Sequence, residues 1–308
     1  MSQDHDHSHA GHLHAPANFN RAFIIGILLN SGFVVTEAVF GFFAHSLALL
    51  ADAGHNLGDV VGLLMAWAAS YLVKSAPTPR HTYGFRRSSI LAALANAIVL
   101  LAVTGALSWE AIRRLVHPEP VVGMTIIWVA AIGVAINGAT ALMFMAGRER
   151  DLNLKGAFLH MAADAAIALG IVIVGVVIHF TDWLWLDPVM TLVIGVLIAI
   201  GTWGLLRDSV NLSLDAVPAG IDSNAVEKYL GDLPGIAKVH DLHIWGMSTT
   251  ETALTAHLVK PDGKLDDPLL DQIQHELHDR FGIEHMTVQL ECGGNADHSC
   301  SQEPKHVV

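Results

Sequence analysis

The sequence predicts an integral membrane α-helical bundle of six transmembrane helices with a C-terminal α+β domain. Of its 308 residues, 52% are hydrophobic and 15% are charged, which is too apolar for an ordinary soluble domain. Mean hydropathy is +0.46. Six apolar runs reach the length of about 20 residues needed to cross a bilayer. A composition typical of a soluble domain begins only after Arg207.

The predicted spanning helices cover residues 21–43, 47–73, 89–115, 121–146, 155–180 and 184–206. Because six helices cross the membrane an even number of times, both chain ends lie on the same side of it. The short connections between helices two and three and between four and five carry Lys and Arg, whereas those between one and two and between five and six carry none. Only Arg113 and Arg114, at the other end of helix three, run against this pattern. The positive-inside rule therefore predicts a multi-pass protein of the inner (cytoplasmic) membrane with both termini in the cytoplasm.

The tail after Arg207 contains a helix, two strands, a helix and a strand. Apolar residues recur at helical spacing in 222–233, where Asp222 or Ser223 is the N-cap, and again in 266–281. Alternating patterns predict strands over 237–247, 252–260 and 284–291. This order predicts a small ferredoxin-like α+β domain.

Four regions follow from these patterns. They are a His-rich disordered cytoplasmic arm over 1–20, the transmembrane domain over 21–207, the cytoplasmic domain over 208–292, and a disordered tail over 293–308. Neither end shows any periodicity. Cys292 and Cys300 make no disulfide framework and are expected to be reduced.

The charge balance indicates which partners to expect. A formal net charge of -12 with 19 histidines argues against nucleic acid, because phosphate recognition needs clustered Lys and Arg. It favours cations instead. No enzyme motif is present: HELH in 274–278 is one residue short of a zinc-protease signature, and there is no P-loop or GxSxG.

Two matched His–Asp pairs in the predicted membrane helices have the side-chain types that bind metal ions. His55 and Asp59 in helix two, and His160 and Asp164 in helix five, stand at i and i+4 and so share one helix face. Together they supply two imidazole nitrogens and two carboxylate oxygens, a tetrahedral set suited to Zn²⁺. An unpaired Asp at the bilayer centre costs about 2.5–3.5 kcal/mol on insertion scales, which favours a shared cation. Hydrogen bonds between helices are the alternative.

Other polar residues in the predicted spans leave two interpretations open. Asp52 is a third acid of a cation pathway or lies near the water boundary. The other polar residues line a hydrated cavity or form hydrogen bonds between helices, and they are Asn30, Glu37, Asn96 and Asn137. On the cytoplasmic side, Arg86 and Arg87 with Asp208 and Asp215 would tie the bundle to the tail, with solvated surface charges as the alternative.

Several stretches resemble the cation diffusion facilitator family of zinc-proton antiporters, of the bacterial zinc, cobalt and cadmium efflux type. They are "HSLALLADAGHNLGDVVGLL", "HTYGFRR", "HMAADA", "WLDPVMTL" and "VHDLHIW" with "HMTVQLE". The resemblance implies a homodimer in membrane lipid, with His55, Asp59, His160 and Asp164 as the transport site. It also implies a preference for zinc, with Cd²⁺, Co²⁺ and Ni²⁺ as further substrates.

The resemblance also points to accessory metal sites. A regulatory zinc site in the cytoplasmic domain would use His240, His257 and Glu291, joined by His243 or His285, although Gln289 stands where the family often has His. Structural histidines on a solvated strand are an equal alternative. The N-terminal arm would gather metal through His5, His7, His9, His12 and His14. Of a loop site found in some members, only His81 is present.

The predicted function is secondary active transport by alternating access, exporting Zn²⁺ in exchange for protons. Zinc and protons compete for the same imidazoles and carboxylates, so a proton gradient can drive the metal. A membrane zinc sensor without transport is the alternative. A passive channel and a membrane metalloenzyme are weaker ones.

Overall fold

The computed structural model describes residues 20–145, 152–264 and 267–292, with side chains described from residue 31 and again from residue 154. The predictions for the N-terminal histidines, for Cys300 and for the tail after residue 292 lie outside the described residues.

Six long helices form the membrane part, as the apolar runs predict. They are α1 (Asn20–Phe43), α2 (Leu47–Val73), α3 (Ser88–Val116), α4 (Gly123–Met145), α5 (Leu152–Thr181) and α6 (Leu186–Ser213). Within the described residues, five are long and apolar enough to cross a membrane, and the described side chains of α1, over Ser31–Phe43, form a shorter apolar helix. The helix α6 continues past the predicted end at residue 206. The apolar span ends at residue 206 because polar residues follow it. The helix itself can continue, because the sequence has no Gly or Pro between residue 206 and Pro218.

Packing divides the chain into two compact units. The first takes in residues up to Leu57 together with Leu107–Ile194, and the second takes in Gly58–Ala106 together with the chain from Gly195. The helices α2, α3 and α6 each continue from one unit into the other.

Glycines let α4 and α5 approach closely in the first unit. A Cβ on Gly123 would lie 3.1 Å from the carbonyl oxygen of Gly175 and 3.1 Å from the backbone nitrogen of His179. A Cβ on Gly175 would lie 2.9 Å from Cγ2 of Ile126. Small residues at such contacts are the usual means by which membrane helices pack, because van der Waals contact replaces the hydrophobic effect in lipid.

We expect Gly123→Val to reduce the amount of folded protein strongly. The atoms facing its Cβ are backbone atoms that cannot move aside, and overpacking costs about 1–3 kcal/mol. The yield of monodisperse protein and its thermal midpoint measure the effect. Gly138→Val is the matched control, since Gly138 is on the same helix and has nothing within 4 Å of its Cβ position. Equal yields from the two variants would refute the close contact.

The cytoplasmic domain lies in the second unit and has the predicted α-β-β-α-β order. Its elements are α7 (Ser223–Gly231), β1 (Lys238–Gly246), β2 (Thr252–Val259), α8 (Asp267–Phe281) and β3 (His285–Glu291). The sheet order is β1-β2-β3, with β1 antiparallel and β3 parallel to β2. Asp222 is the N-cap of α7, accepting the N–H groups of Asn224 and Ala225. The hydrophobic core of the domain includes Val226, Leu230, Leu254, Leu258, Ile273 and Leu277.

Within the second unit, the connection between α2 and α3 contacts this domain. Arg87 pairs with Asp215, which confirms one predicted ionic tie, whereas Arg86 pairs with Glu251 in the turn between β1 and β2. Asp208 instead lies 3.5 Å from Arg207. The backbone N–H of Thr249 donates to Oγ of Ser89 at 3.1 Å, so the β1–β2 turn is attached to the start of α3.

Candidate functional site

In the first unit, a carboxylate lies between two histidines. Nε2 of His55 on α2 lies 3.7 Å from Oδ1 of Asp164, and Nε2 of His160 on α5 lies 3.6 Å from its Oδ2. The two imidazole rings meet edge to face, with centroids 6.0 Å apart. Only 2% of the Asp164 side chain is exposed. The helices therefore bring three of the four predicted ligands into one cluster.

The fourth residue, Asp59, follows His55 by one turn on the same helix. One of its carboxylate oxygens lies within 4.8 Å of a ring nitrogen of His55, as the i to i+4 spacing predicts. The helix α2 thus offers a nitrogen and an oxygen from successive turns, and α5 offers the same pair in the same order. Such a set suits a divalent transition metal.

Further polar side chains are buried in the first unit around this cluster. Glu37, Asp52, Asn56 and Asn137 are each no more than 1% exposed. Asp52 is thus enclosed by protein atoms, and its role as a third acid of a cation pathway stays a prediction. Asn56 was not among the predicted polar groups, although it stands beside His55 in the same motif.

A second group of potential ligands lies on the sheet of the cytoplasmic domain. Strand register places His240 opposite His257 and Val259 opposite Glu291. Nε2 of His240 and Nδ1 of His257 each lie 3.0 Å from an oxygen of Glu291. All three predicted residues therefore come together, with ligand atoms within 4.8 Å of one another.

A β-bulge adds Asp241 to this group. The register shifts between His240 and His243, so that His243 faces Thr255 while His240 faces His257, and Asp241 has a φ of 50°. Because Thr255 and His257 are two residues apart, their opposite partners share one face of the sheet. Asp241 reaches Nε2 of His243 at 2.9 Å and Nε2 of His257 at 3.5 Å.

Sequence reasoning missed Asp241 because neighbours in a regular strand point to opposite faces. Only its position between the two histidines of "VHDLH" hinted at it.

Two other predicted ligands have different neighbours. His285 begins β3, and its ring meets Tyr83 edge to face at 5.6 Å. The ring of His81 lies 4.7 Å from that of Phe85, and it lines a cavity of about 900 Å³ in the second unit together with His243 and Arg80. Among the described residues, neither belongs to a group of three potential metal ligands.

The Glu291 carboxylate is held in its charged form. Burial raises the pKa of this group, but hydrogen bonds with His240 and Gln289 and the charges of His240 and His257 outweigh it, and the net pKa lies below the ordinary value. The group is therefore ionised at neutral pH, as a metal ligand must be. The stabilisation that the ionised carboxylate provides is lost as the pH falls through its lowered pKa.

Metal-ligand side chains within a bundle of apolar helices define a class, the membrane proteins that handle cations. Residues 23–212 match the cation efflux transmembrane domain, and residues 218–292 match the cation efflux protein, cytoplasmic domain. The chain belongs to the cation efflux family of transporters.

Several relatives are similar over almost their whole length. Zinc transporter ZitB of Escherichia coli (strain K12) is 37% identical over 290 residues, covering 93% of this chain and 92% of that protein. Cation efflux system protein CzcD of Alcaligenes sp. (strain CT14) is 34% identical, with 94% and 90% covered. A cadmium, cobalt and zinc/H(+)-K(+) antiporter of Bacillus subtilis (strain 168) is 31% identical, with 96% of each chain covered.

One solved structure shares sequence with the cytoplasmic domain. It is the metal-bound C-terminal domain of the CzcD transporter from Cuprividus metallidurans, with 36% identity, a TM-score of 0.21, and 23% of this chain and 99% of that chain covered.

Proposed function

We propose that the chain exports Zn²⁺ from the cytoplasm in exchange for protons, with His55, Asp59, His160 and Asp164 as the transport site. The observation that carries this proposal is the position of Asp164 between two histidines from different helices. The names of the relatives, a zinc transporter and a zinc/H(+)-K(+) antiporter, support it.

Ligand chemistry favours zinc. Two imidazoles and two carboxylates make a mixed nitrogen and oxygen set of four, and Zn²⁺ has no geometric preference that conflicts with a tetrahedral arrangement. Imidazole also suits Co²⁺ and Ni²⁺, so these ions and Cd²⁺ are expected as weaker substrates.

Proton coupling follows from the same groups. Zinc binds only to neutral imidazoles and ionised carboxylates, so each bound ion displaces protons, and each returning proton weakens the site for zinc. When the helices expose the site to one side of the membrane and then to the other, protons entering the cell drive zinc out. His55 and His160 are the proton carriers in this scheme, while Asp59 and Asp164 mainly hold the ion.

Topology and assembly complete the proposal. The loop charges support an inner-membrane protein with both termini in the cytoplasm. The match to a cytoplasmic domain whose family is named for dimerisation supports a homodimer. Zinc bound by His240, His257 and Glu291 would then regulate transport from the cytoplasmic side. The contact between Arg86 and Glu251 joins the strands that carry two of these ligands to the start of α3.

Zinc uptake into reconstituted vesicles under an imposed pH gradient tests the function. We expect uptake against a zinc gradient when the lumen is acidic, loss of that uptake when an ionophore collapses the pH gradient, and a lower apparent zinc affinity as the pH on the zinc side falls. Protein-free vesicles are the control. Uptake that ignores the pH gradient would indicate a channel, and zinc binding without any uptake would indicate a sensor.

A further inference from the structure

The N-terminal end of α2 is bound by a carboxylate from another helix of the same unit. Asp187, in the first turn of α6, accepts a hydrogen bond from Oγ of Ser46 at 2.5 Å. It also accepts the backbone N–H groups of Leu47 at 2.8 Å and Ala48 at 3.3 Å. Neither Asp187 nor Ser46 is exposed at all, both having 0% relative accessibility.

These bonds satisfy donors that the helix cannot satisfy itself. The first four N–H groups of an α-helix lack intrahelical partners, and here Oγ of Ser46 also accepts the N–H of Leu49 at 3.2 Å. Water cannot replace Asp187, because Leu47, Ala48 and Leu49 are all at most 2% exposed. The negative charge also stands at the positive end of the α2 dipole.

The corner before α2 is held by two further elements of the first unit. Nη1 of Arg114, near the end of α3, donates to the carbonyl of His45 at 2.5 Å. The backbone N–H of Val122, just before α4, donates to the carbonyl of Ala44 at 3.1 Å. This end of α2 is therefore attached to α3, α4 and α6 by hydrogen bonds.

The attachment lies close to the cluster of His55, His160 and Asp164. His55 follows Leu47 by eight residues in an uninterrupted helix, about 12 Å along its axis at 1.5 Å per residue. A stiff helix of that length carries a shift or rotation of its end to His55. Binding sites tolerate only about 0.5 Å of such misplacement.

We propose that Asp187 is a positioning residue for zinc transport, setting the axial position and rotation of α2 so that His55 meets His160 and Asp164 around the ion. This inference rests on the proposed transport site. Asp187 does not touch the ion in this scheme; it acts through the backbone of α2.

The variants are chosen to separate positioning from folding. Asp187→Asn keeps the size of the side chain, but its amide N–H₂ would face a backbone N–H donor. Ser46→Ala removes the bond from its Oγ to Asp187 and the bond that Oγ accepts from the N–H of Leu49, and it leaves the carboxylate in place. Asp182→Asn is the matched control, since Asp182 is five residues earlier and exposed.

Zinc affinity and transport are measured per folded molecule in the full-length protein, by competition with a zinc dye in detergent and by flux in vesicles. We expect Asp187→Asn to raise both the Kd and the KM for zinc by about 10-fold or more, in the range seen for groups that orient metal ligands. Ser46→Ala should act in the same direction by less, and Asp182→Asn should match the native protein.

Native affinity and KM per folded molecule in Asp187→Asn, with only its folded yield reduced, would overturn the positioning role. If Asp187→Asn does not fold, an unchanged KM in Ser46→Ala would overturn it instead. Asp164→Ala is measured alongside: if it binds zinc as the native protein does, the transport site itself is wrong, which is a different failure.

Discussion

Asp164→Ala and Asp59→Ala are each expected to abolish zinc flux in vesicles, with a loss of more than about 100-fold. Changes to groups that only orient a ligand cost about 10–100-fold in metal affinity, and removal of a ligand costs more. Asp164 contributes one oxygen towards each of two histidines, so its loss removes the group that joins α2 to α5. Initial rates at saturating zinc, per folded transporter, measure the effect.

Asp208→Ala is the matched control for these variants, because Asp208 is an exposed residue of the same type, 53% accessible and next to Arg207. It should transport like the native protein. Substantial flux in either ligand variant, at normal folded yield, would show that zinc takes another path. Glu37 and Asp52 would then be the next candidates, since both are buried acids in the same unit.

His257→Ala is expected to remove metal binding from the cytoplasmic domain. One ring nitrogen of His257 lies 3.0 Å from Glu291 and the other lies 3.5 Å from Asp241, so this residue contacts both carboxylates of the group. Full-length protein is titrated with zinc in an Asp164→Ala background, where the proposed transport site is disabled, and His257→Ala should bind one ion fewer per chain. The affinity for that ion should fall by more than about 100-fold.

His275→Ala serves as the comparison, because His275 is exposed on α8 and its Nδ1 forms a hydrogen bond with the carbonyl of Asp271, at 2.7 Å. The N-terminal histidines are present in both variants and so cancel. The same stoichiometry and affinity in the two variants would mean that the histidines on the sheet are structural.

The elements could be predicted because each depends on local pattern. Runs of about 20 apolar residues set the six membrane helices, since a single such segment in lipid can satisfy all its backbone groups internally only as a helix. Alternating residues set β1, β2 and β3, and Asp222 caps α7 through bonds that span only three residues. The pairs His55 with Asp59 and His160 with Asp164 were also visible, because i to i+4 spacing is a property of one helix.

Contacts between distant segments could not be predicted in the same way. Asp187 and Ser46 are separated by 141 positions in the chain, and the sequence around either residue does not predict its partner. The predicted ties of Arg86 and Arg87 illustrate the same limit. Arg87 does pair with Asp215, but Glu251 was not predicted as the partner of Arg86. A charged residue in the sequence indicates that a partner of opposite charge is favourable, but it does not indicate which residue that partner is.

The sequence by itself determined the membrane helices, the order of elements in the cytoplasmic domain and which side chains have the chemistry of metal ligands, since these depend on hydrophobic period and side-chain chemistry within one segment. Only the tertiary structure decided that Asp164 lies between His55 and His160, that a β-bulge turns Asp241 towards His257, and that Asp187 holds the end of α2. Each of these depends on how separate segments pack and on strand register, and packing free energy is shared among many residues far apart in the chain.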